Sequence, residues 1–175
     1  MYKKVFFFLF LIFISSNSLA KETDKAYFGG GCFWCMEESF EKAEGVIEVI
    51  SGYSGGTTEN PTYKEVTYGD TGHFEVVEIV YDKSLTNYKK LLEIFWLNID
   101  PFDAKGQFCD KGYSYRSVAF FKTNDEKIEI EESIKEIEKK FSKEVVTYLR
   151  EFDKFYNAEV YHQNYYQENF VNYLL

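Results

Sequence analysis

Lys25-Ala26-Tyr27-Phe28-Gly29-Gly30-Gly31-Cys32-Phe33-Trp34-Cys35-Met36 is the stretch on which the fold turns. Residues 25–28 read as a short strand running into three glycines, which let the backbone turn tightly and leave the strand end uncrowded. Residues 33–43 read as a helix, with Phe33, Met36, Phe40 and Ala43 on one stripe, and Gly45 ends it. Cys32 therefore falls at a helix N-terminus. Unpaired N–H groups and the macrodipole favour an anion there, so the thiolate is expected to be stabilised. Trp34 lies off the apolar stripe, on the side shared by Glu38 and Glu41. That is an odd place for core packing and a reasonable one for the wall of a pocket beside the thiol. The competing reading is an inert buried cysteine with a surface tryptophan under a loop.

Outward from this stretch the signals alternate without a strict order. Residues 46–53 are strand-like and meet the turn Ser54-Gly55-Gly56, and Asn60-Pro61 marks another turn or a helix start. Residues 75–81 form the strongest strand signal, 87–97 a helix and 117–121 a strand. Residues 125–141 are an amphipathic helix with Ile130, Ile134, Ile137 and Phe141 inward. Residues 145–149 are expected to be a last strand, and 159–173 irregular or partly helical. This mixture predicts an α+β fold: a single-domain, two-layer α/β sandwich with a mixed sheet.

Upstream, residues 1–4 are basic, 5–14 are an unbroken apolar run, and Ser18-Leu19-Ala20 supplies small residues at the −3 and −1 positions. These are the parts of a secretory signal peptide over residues 1–20, cleaved after Ala20, with a catalytic domain over 21–175. The run falls short of the about 20 apolar residues a spanning helix needs. No second such run follows, so no stable membrane association is expected after cleavage. The implied location is exported, periplasmic or secreted.

The composition of the 175 residues, 45% hydrophobic and 28% charged, is globular and excludes a disordered chain. A net charge of −9 with two arginines, Arg116 and Arg150, argues against nucleic acid as a partner. Three cysteines are too few for a disulfide scaffold.

Other chemistries compete for these cysteines. Cys32-x-x-Cys35 fits a dithiol oxidoreductase, but neither Pro61 nor Pro101 has the context of the proline that faces such motifs. Haem attachment needs a histidine where Met36 stands. A zinc site would have to combine Cys32, Cys35, Cys109 and His73 or His162, and Cys109 lacks a nearby partner ligand. Glu75 opens the strongest strand and shares parity with Val77, Ile79 and Tyr81, which puts it on an apolar face. A carboxyl there has a raised pKa and can serve as a general acid; a water-facing strand end is the alternative. Asp110, Tyr115 and Arg116 lie in a polar, aromatic loop. His162 sits amid aromatics, where a packed, hydrogen-bonded ring is favoured over a base for Cys32.

Five segments, in this order and spacing, resemble the peptide methionine sulfoxide reductase A family: Gly31-Cys32-Phe33-Trp34, Asn60-Pro61-Thr62-Tyr63, Gly72-His73-x-Glu75, Asp110-x-Gly112-x-x-Tyr115-Arg116-Ser117 and Ala158-Glu159-x-Tyr161-His162-Gln163. The similarity runs from about residue 27 to about residue 167. It implies an α+β sandwich that reduces the S epimer of methionine sulfoxide, free or in proteins, without a metal or organic cofactor. It implies Cys32 as nucleophile and Glu75 as the acid for the sulfoxide oxygen. Tyr63 and Tyr115 would hydrogen-bond that oxygen, Phe33 and Trp34 would hold the methyl group, and Asp110 would orient the site and bind substrate backbone. Cys32 would finish as a sulfenic acid. The chain departs from the family at its C-terminus, which lacks recycling cysteines, at Thr67, where some relatives have cysteine, and at Asn157, where proline is frequent. The candidates that would resolve the sulfenic acid are Cys35, slightly preferred, and Cys109, with an external thiol as a third route. A thioredoxin-like or other dithiol reductant and a monomeric state are expected. The alternatives are a dithiol-disulfide oxidoreductase and a non-catalytic methionine-binding module.

Overall fold

The computed structural model describes residues 22–168. The proposed signal peptide, 1–20, lies outside them. The strand before the glycines, β1 (Thr23–Gly29), is followed by α1 (Phe33–Glu41), β2 (Val46–Ser54), α2 (Tyr63–Tyr68), β3 (Phe74–Asp82) and α3 (Tyr88–Leu97). A small hairpin of β4 (Gly106–Gln107) and β5 (Asp110–Lys111) comes next. Then come β6 (Val118–Phe121), α4 (Asn124–Phe141), β7 (Tyr148–Glu151), β8 (Phe155–Asn157) and α5 (Tyr165–Glu168).

Six strands form one sheet in the order β7-β6-β1-β3-β2-β8. The β6–β7 pair is parallel and the others are antiparallel, so the sheet is mixed, as expected. Central β3 alternates strictly. Val77, Ile79 and Tyr81 join the core with Phe28, Phe33, Phe40, Leu91, Phe95 and Ile130. Phe74 and Val76 face the other side, where Tyr27, Val118 and Phe120 are covered by Tyr148, Phe152 and Phe155. Helices cover one face of the sheet, and aromatic side chains from β7, β8 and their connection cover part of the other.

Three expectations need correction. Phe141 is 56% exposed rather than inward. It lies on the last turn of α4, beyond the buried cluster, where it meets Phe102 edge-on. The last expected strand begins later, at Tyr148, because the Val145 and Val146 N–H groups are taken by Glu138 and the Pro101 carbonyl. Helix α1 stops at Glu41. Strand β8 was not anticipated as an element, and of the two readings offered for Asn60-Pro61 the helix start is the one found, with α2 beginning at Tyr63. The start of α2 is written in the sequence: Thr62 and Glu65 form a reciprocal capping box.

Candidate active site

The three glycines are spent on close approaches. A Cβ on Gly29 would lie 2.6 Å from the Glu75 carbonyl oxygen, so only glycine lets β1 end flush against β3. Gly31 has φ +88°, and a Cβ there would lie 2.7 Å from Gln107 Cβ. The turn thus delivers Cys32 to the N-cap of α1 with the β4–β5 hairpin against it. Gln107 is buried and exchanges two hydrogen bonds with the Asp100 backbone, at 2.7 and 2.9 Å, which fixes the hairpin.

Glu75, at the mouth of β3, is 1% exposed. The Phe33 N–H, in the first turn after Cys32, donates to its Oε2 at 3.1 Å. Its Oε1 is buried and has no hydrogen-bond partner among the described residues. Burial pushes this carboxyl up to about 8, Asp110 adds to the rise, and the Phe33 N–H and Tyr115 oppose it. The partly desolvated acid expected from strand parity is therefore present, and it is protonated at neutral pH.

The Cys32 thiol departs from expectation. Its Sγ shares a hydrogen bond with Cys35, it is largely buried, and the Glu75 charge opposes ionisation. Together these hold the thiol well above the usual cysteine range, and the Trp34 N–H opposes them only weakly. The hydrogen bond with Cys35 and burial outweigh the short helix's dipole, which acts over a single turn. The site thus holds a proton-loaded pair, Cys32 and Glu75. None of the three cysteines is disulfide-bonded; Cys35 and Cys109 are exposed. Cys109 lies in the two-residue turn of the β4–β5 hairpin, beside Phe108 at φ 44°.

Tyr63 opens α2, and its N–H donates to Glu159 Oε1 at 2.9 Å. The other Glu159 oxygen accepts from the buried Tyr53 hydroxyl, also at 2.9 Å. One carboxylate thus ties α2 to β2. The Tyr63 and Tyr115 hydroxyls interact with each other, with Glu75 and with Thr67. The structure therefore gathers Cys32, Glu75, Tyr63 and Tyr115, with Asp110 close enough to raise the Glu75 carboxyl. Phe33 packs tilted against Trp34, Tyr53, Tyr63 and His162, at 5.1–6.2 Å between centroids.

His162 is buried among Phe33, Trp34, Tyr63 and Tyr161, as packing predicts. The expected hydrogen bond is absent: neither ring nitrogen has a partner among the described residues, and burial lowers its pKa. A ring with no acceptor to fix its tautomer lacks the orientation a general base needs. Sequence reasoning missed Glu37, which the core buries completely, and Tyr165, which stacks on Trp34. Glu37 stands four residues after Phe33, a charge beside the apolar stripe, and that was the available signal. Among the described residues no group of three or more His, Cys, Asp and Glu is placed to hold a metal ion.

A buried acid and a helix-capping cysteine thus stand together beside a cluster of aromatic rings. Residues 24–175 match the family model described as peptide methionine sulfoxide reductase. The chain is 47% identical over 159 residues to the peptide methionine sulfoxide reductase MsrA of Listeria welshimeri, covering 89% of each chain. It is 44% identical over 153 residues to that of Bacillus velezensis, covering 86% of each. Methionine sulfoxide reductase A of Corynebacterium diphtheriae superposes with a TM-score of 0.76 at 29% identity, covering 84% of this chain and 75% of that one. Mxr1 from Saccharomyces cerevisiae in reduced form gives 0.79 at 28% identity, covering 84% and 86%. Mxr1 has also been solved in complex with Trx2. The chain belongs to the peptide methionine sulfoxide reductase family, and it is an enzyme of the MsrA type.

Proposed function

We propose that this reductase is exported, acts on the S epimer of methionine sulfoxide, free or in proteins, and divides the reaction between Cys32 and Glu75. The observation that carries this reading is the Phe33 N–H to Glu75 hydrogen bond, which pins a protonated acid beside the cysteine that caps α1. Cys32 Sγ attacks the sulfoxide sulfur while Glu75 and the Cys32 thiol give their protons to the oxygen, so an S–S bond forms and the S–O bond breaks toward water rather than an oxide. That water then attacks Cys32 Sγ, and the S–S bond breaks to release the thioether. The sulfoxide sulfur gains two electrons and Cys32 loses two. The oxygen ends on Cys32 as a sulfenic acid, the thiol proton finishes on its hydroxyl, and Glu75 recovers its own. Tyr63 and Tyr115 donate to the oxygen, Phe33 and Trp34 enclose the methyl group, and Asp110 orients the substrate backbone.

Cys35 resolves the sulfenic acid in this scheme. Its thiol already shares a hydrogen bond with Cys32, and it reaches solvent. Attack of Cys35 on the sulfenic sulfur releases water and leaves a Cys32–Cys35 disulfide. An external dithiol then reduces that disulfide and is itself oxidised. A thioredoxin-like protein is the reductant of choice, in line with the complex solved for Mxr1. Export rests on residues 1–20, and amino-terminal sequencing of the protein from its host should begin at Lys21.

The test is to supply the mature chain and a dithiol with the separated S and R epimers of methionine sulfoxide, then to assay methionine. Turnover of the S epimer alone is expected. Reduction of the R epimer at a comparable rate would end the epimer assignment. A single-turnover reaction, alkylated and mapped by mass spectrometry, should show Cys32 linked to Cys35 with Cys109 alkylated. A Cys32–Cys109 link would reassign the resolving thiol, and a trappable sulfenic acid on Cys32 would assign that step to an external thiol.

A further inference from the structure

Glu37 is a fully buried carboxyl that the reaction does not use. It lies on α1, one turn beyond Trp34. Its Oε1 accepts the Asn164 N–H at 3.1 Å, and the Tyr165 N–H points to the same carboxyl. Asn164 reaches this geometry with φ 51°, a left-handed conformation uncommon outside glycine. The next turn of α1 repeats the grip: Glu41 Oε2 accepts from the Tyr166 hydroxyl and, at 2.7 Å, from the Gln167 amide. Residues 164–167 are thereby strapped along α1. The strap places the Tyr165 ring flat on the Trp34 indole, 3.6 Å between centroids and 6° between planes. His162 tilts against the same indole at 5.5 Å.

We propose that Glu37 is a positioning residue for substrate binding: by fastening residues 164–167 to α1 it clamps Tyr165 onto Trp34 and fixes the pocket wall against which the sulfoxide methyl packs. This rests on the reading of Trp34 as that wall. Trp34 is only half-buried, and its indole N–H has no hydrogen-bond partner among the described residues. Ring packing is therefore what holds the side chain, and without Tyr165 the indole regains rotamers that substrate must then freeze. Such a loss weakens binding more than chemistry, because Cys32 and Glu75 are held by β1, β3 and the start of α1. The second carboxyl oxygen, Oε2, has no hydrogen-bond partner among the described residues. A glutamine can place its amide nitrogen there and keep the same acceptor at Oε1. Burial pushes the Glu37 carboxyl up to about 7, which agrees with a neutral group being tolerated at this point.

The experiment measures kcat and KM for methionine sulfoxide in the mature wild-type chain and in Glu37→Ala, Glu37→Gln, Tyr165→Ala and the Glu37→Ala/Tyr165→Ala double variant. Trp34 emission is read in a Trp96→Phe background. Glu37→Ala and Tyr165→Ala should each raise KM roughly tenfold with kcat within about threefold, the pattern of lost binding rather than lost chemistry. Both should shift Trp34 emission. The double variant should be no worse than either single one, since both changes undo one contact. Glu37→Gln should restore KM and emission to near wild type. An unchanged KM in folded Tyr165→Ala would overturn the proposal, and so would a Glu37→Gln variant as impaired as Glu37→Ala. If Glu37→Ala does not fold, Tyr165→Ala decides alone. Failure of the underlying reading looks different: Trp34→Ala would then leave KM at the wild-type value, although Tyr165→Ala still shifted Trp34 emission.

Discussion

Strand β3 carries two buried glutamates three residues apart, and they have opposite fates. Glu78, mid-strand on the sheet face opposite the helices, is 7% exposed and fully engaged: Lys25 Nζ lies 2.7 Å from Oε1 and the Tyr27 hydroxyl donates to Oε2 at 2.7 Å. Glu75, at the strand mouth, accepts one backbone N–H and pairs with no cation among the described residues, where one of its oxygens is also buried without a hydrogen-bond partner. The same residue type on the same strand is a fully hydrogen-bonded structural group at one depth and a proton store at the other. Burial alone does not make an acid; burial without a counter-charge does. Among the described residues no lysine or arginine pairs with Glu75, and its neighbours include the Tyr115 hydroxyl and Asp110.

The largest effect expected is at the other member of the site. Cys32→Ser should remove sulfoxide reduction while thermal unfolding stays close to wild type, since an alcohol is a far poorer nucleophile toward sulfur. Measurable turnover by the folded variant would move the chemistry to Cys35 and leave Glu75 without its partner. Next in size is Glu75→Gln, which keeps the shape and cannot donate. General acids contribute on the order of 10²–10⁴-fold, so kcat should fall within that range and recover partly at lower pH, where solvent acid substitutes. Full neutral-pH activity would make Glu75 as structural as Glu78 and erase the contrast.

The contrast also has a signature in pH. A carboxyl raised to about 8 carries its proton below that value, so wild-type activity should decline as pH climbs through 8, and this limb should vanish in Glu75→Gln. The stability sign follows from the same proton. Between the unfolded carboxyl value near 4.5 and about 8, the native state binds more protons than the unfolded one, so stability falls as pH rises across that window. Glu75→Gln lacks this slope. Its melting temperature relative to wild type should increase from pH 5 to pH 8, as differential scanning calorimetry at several pH values would show.

Much of this could be read from the chain. Gly31-Cys32 and the parity of Glu75 with Val77 and Ile79 located the two side chains to which the chemistry is assigned, because turn chemistry and strand alternation are local rules. The protonation state of Cys32 was not legible: the dipole of α1 is visible in the sequence, whereas the burial and the approach of Glu75 that outweigh it arise only when β3 meets β1. Glu37, and the partners of Glu159, escaped for a related reason. Each carboxyl serves backbone or side-chain donors about a hundred residues away, and no local pattern announces such a partner. Strand β8 has three residues, too few for a periodicity, and its place is set by Gly52 admitting the Phe155 ring.

Smaller effects belong to the structural glutamate. Glu78→Ala strands the Tyr27 hydroxyl, and leaving one buried polar group unpaired costs about 1–3 kcal/mol, readable by urea denaturation. The smallest is expected at Lys25, the cation that distinguishes the two environments. Its side chain is 50% exposed, so the ion pair with Glu78 is screened by water, and Lys25→Met should cost under about 1 kcal/mol. Glu78 keeps the Tyr27 hydroxyl in this variant, and the Lys25 stem is replaced by one of similar reach. Neither change touches the mouth of β3, where the Phe33 N–H and the burial of Glu75 are untouched. The alkaline limb of activity should therefore stay at the wild-type pH in Lys25→Met. A limb displaced by half a unit or more would mean that Lys25 is felt at Glu75 through the sheet. The two ends of β3 would then be one electrostatic system rather than two.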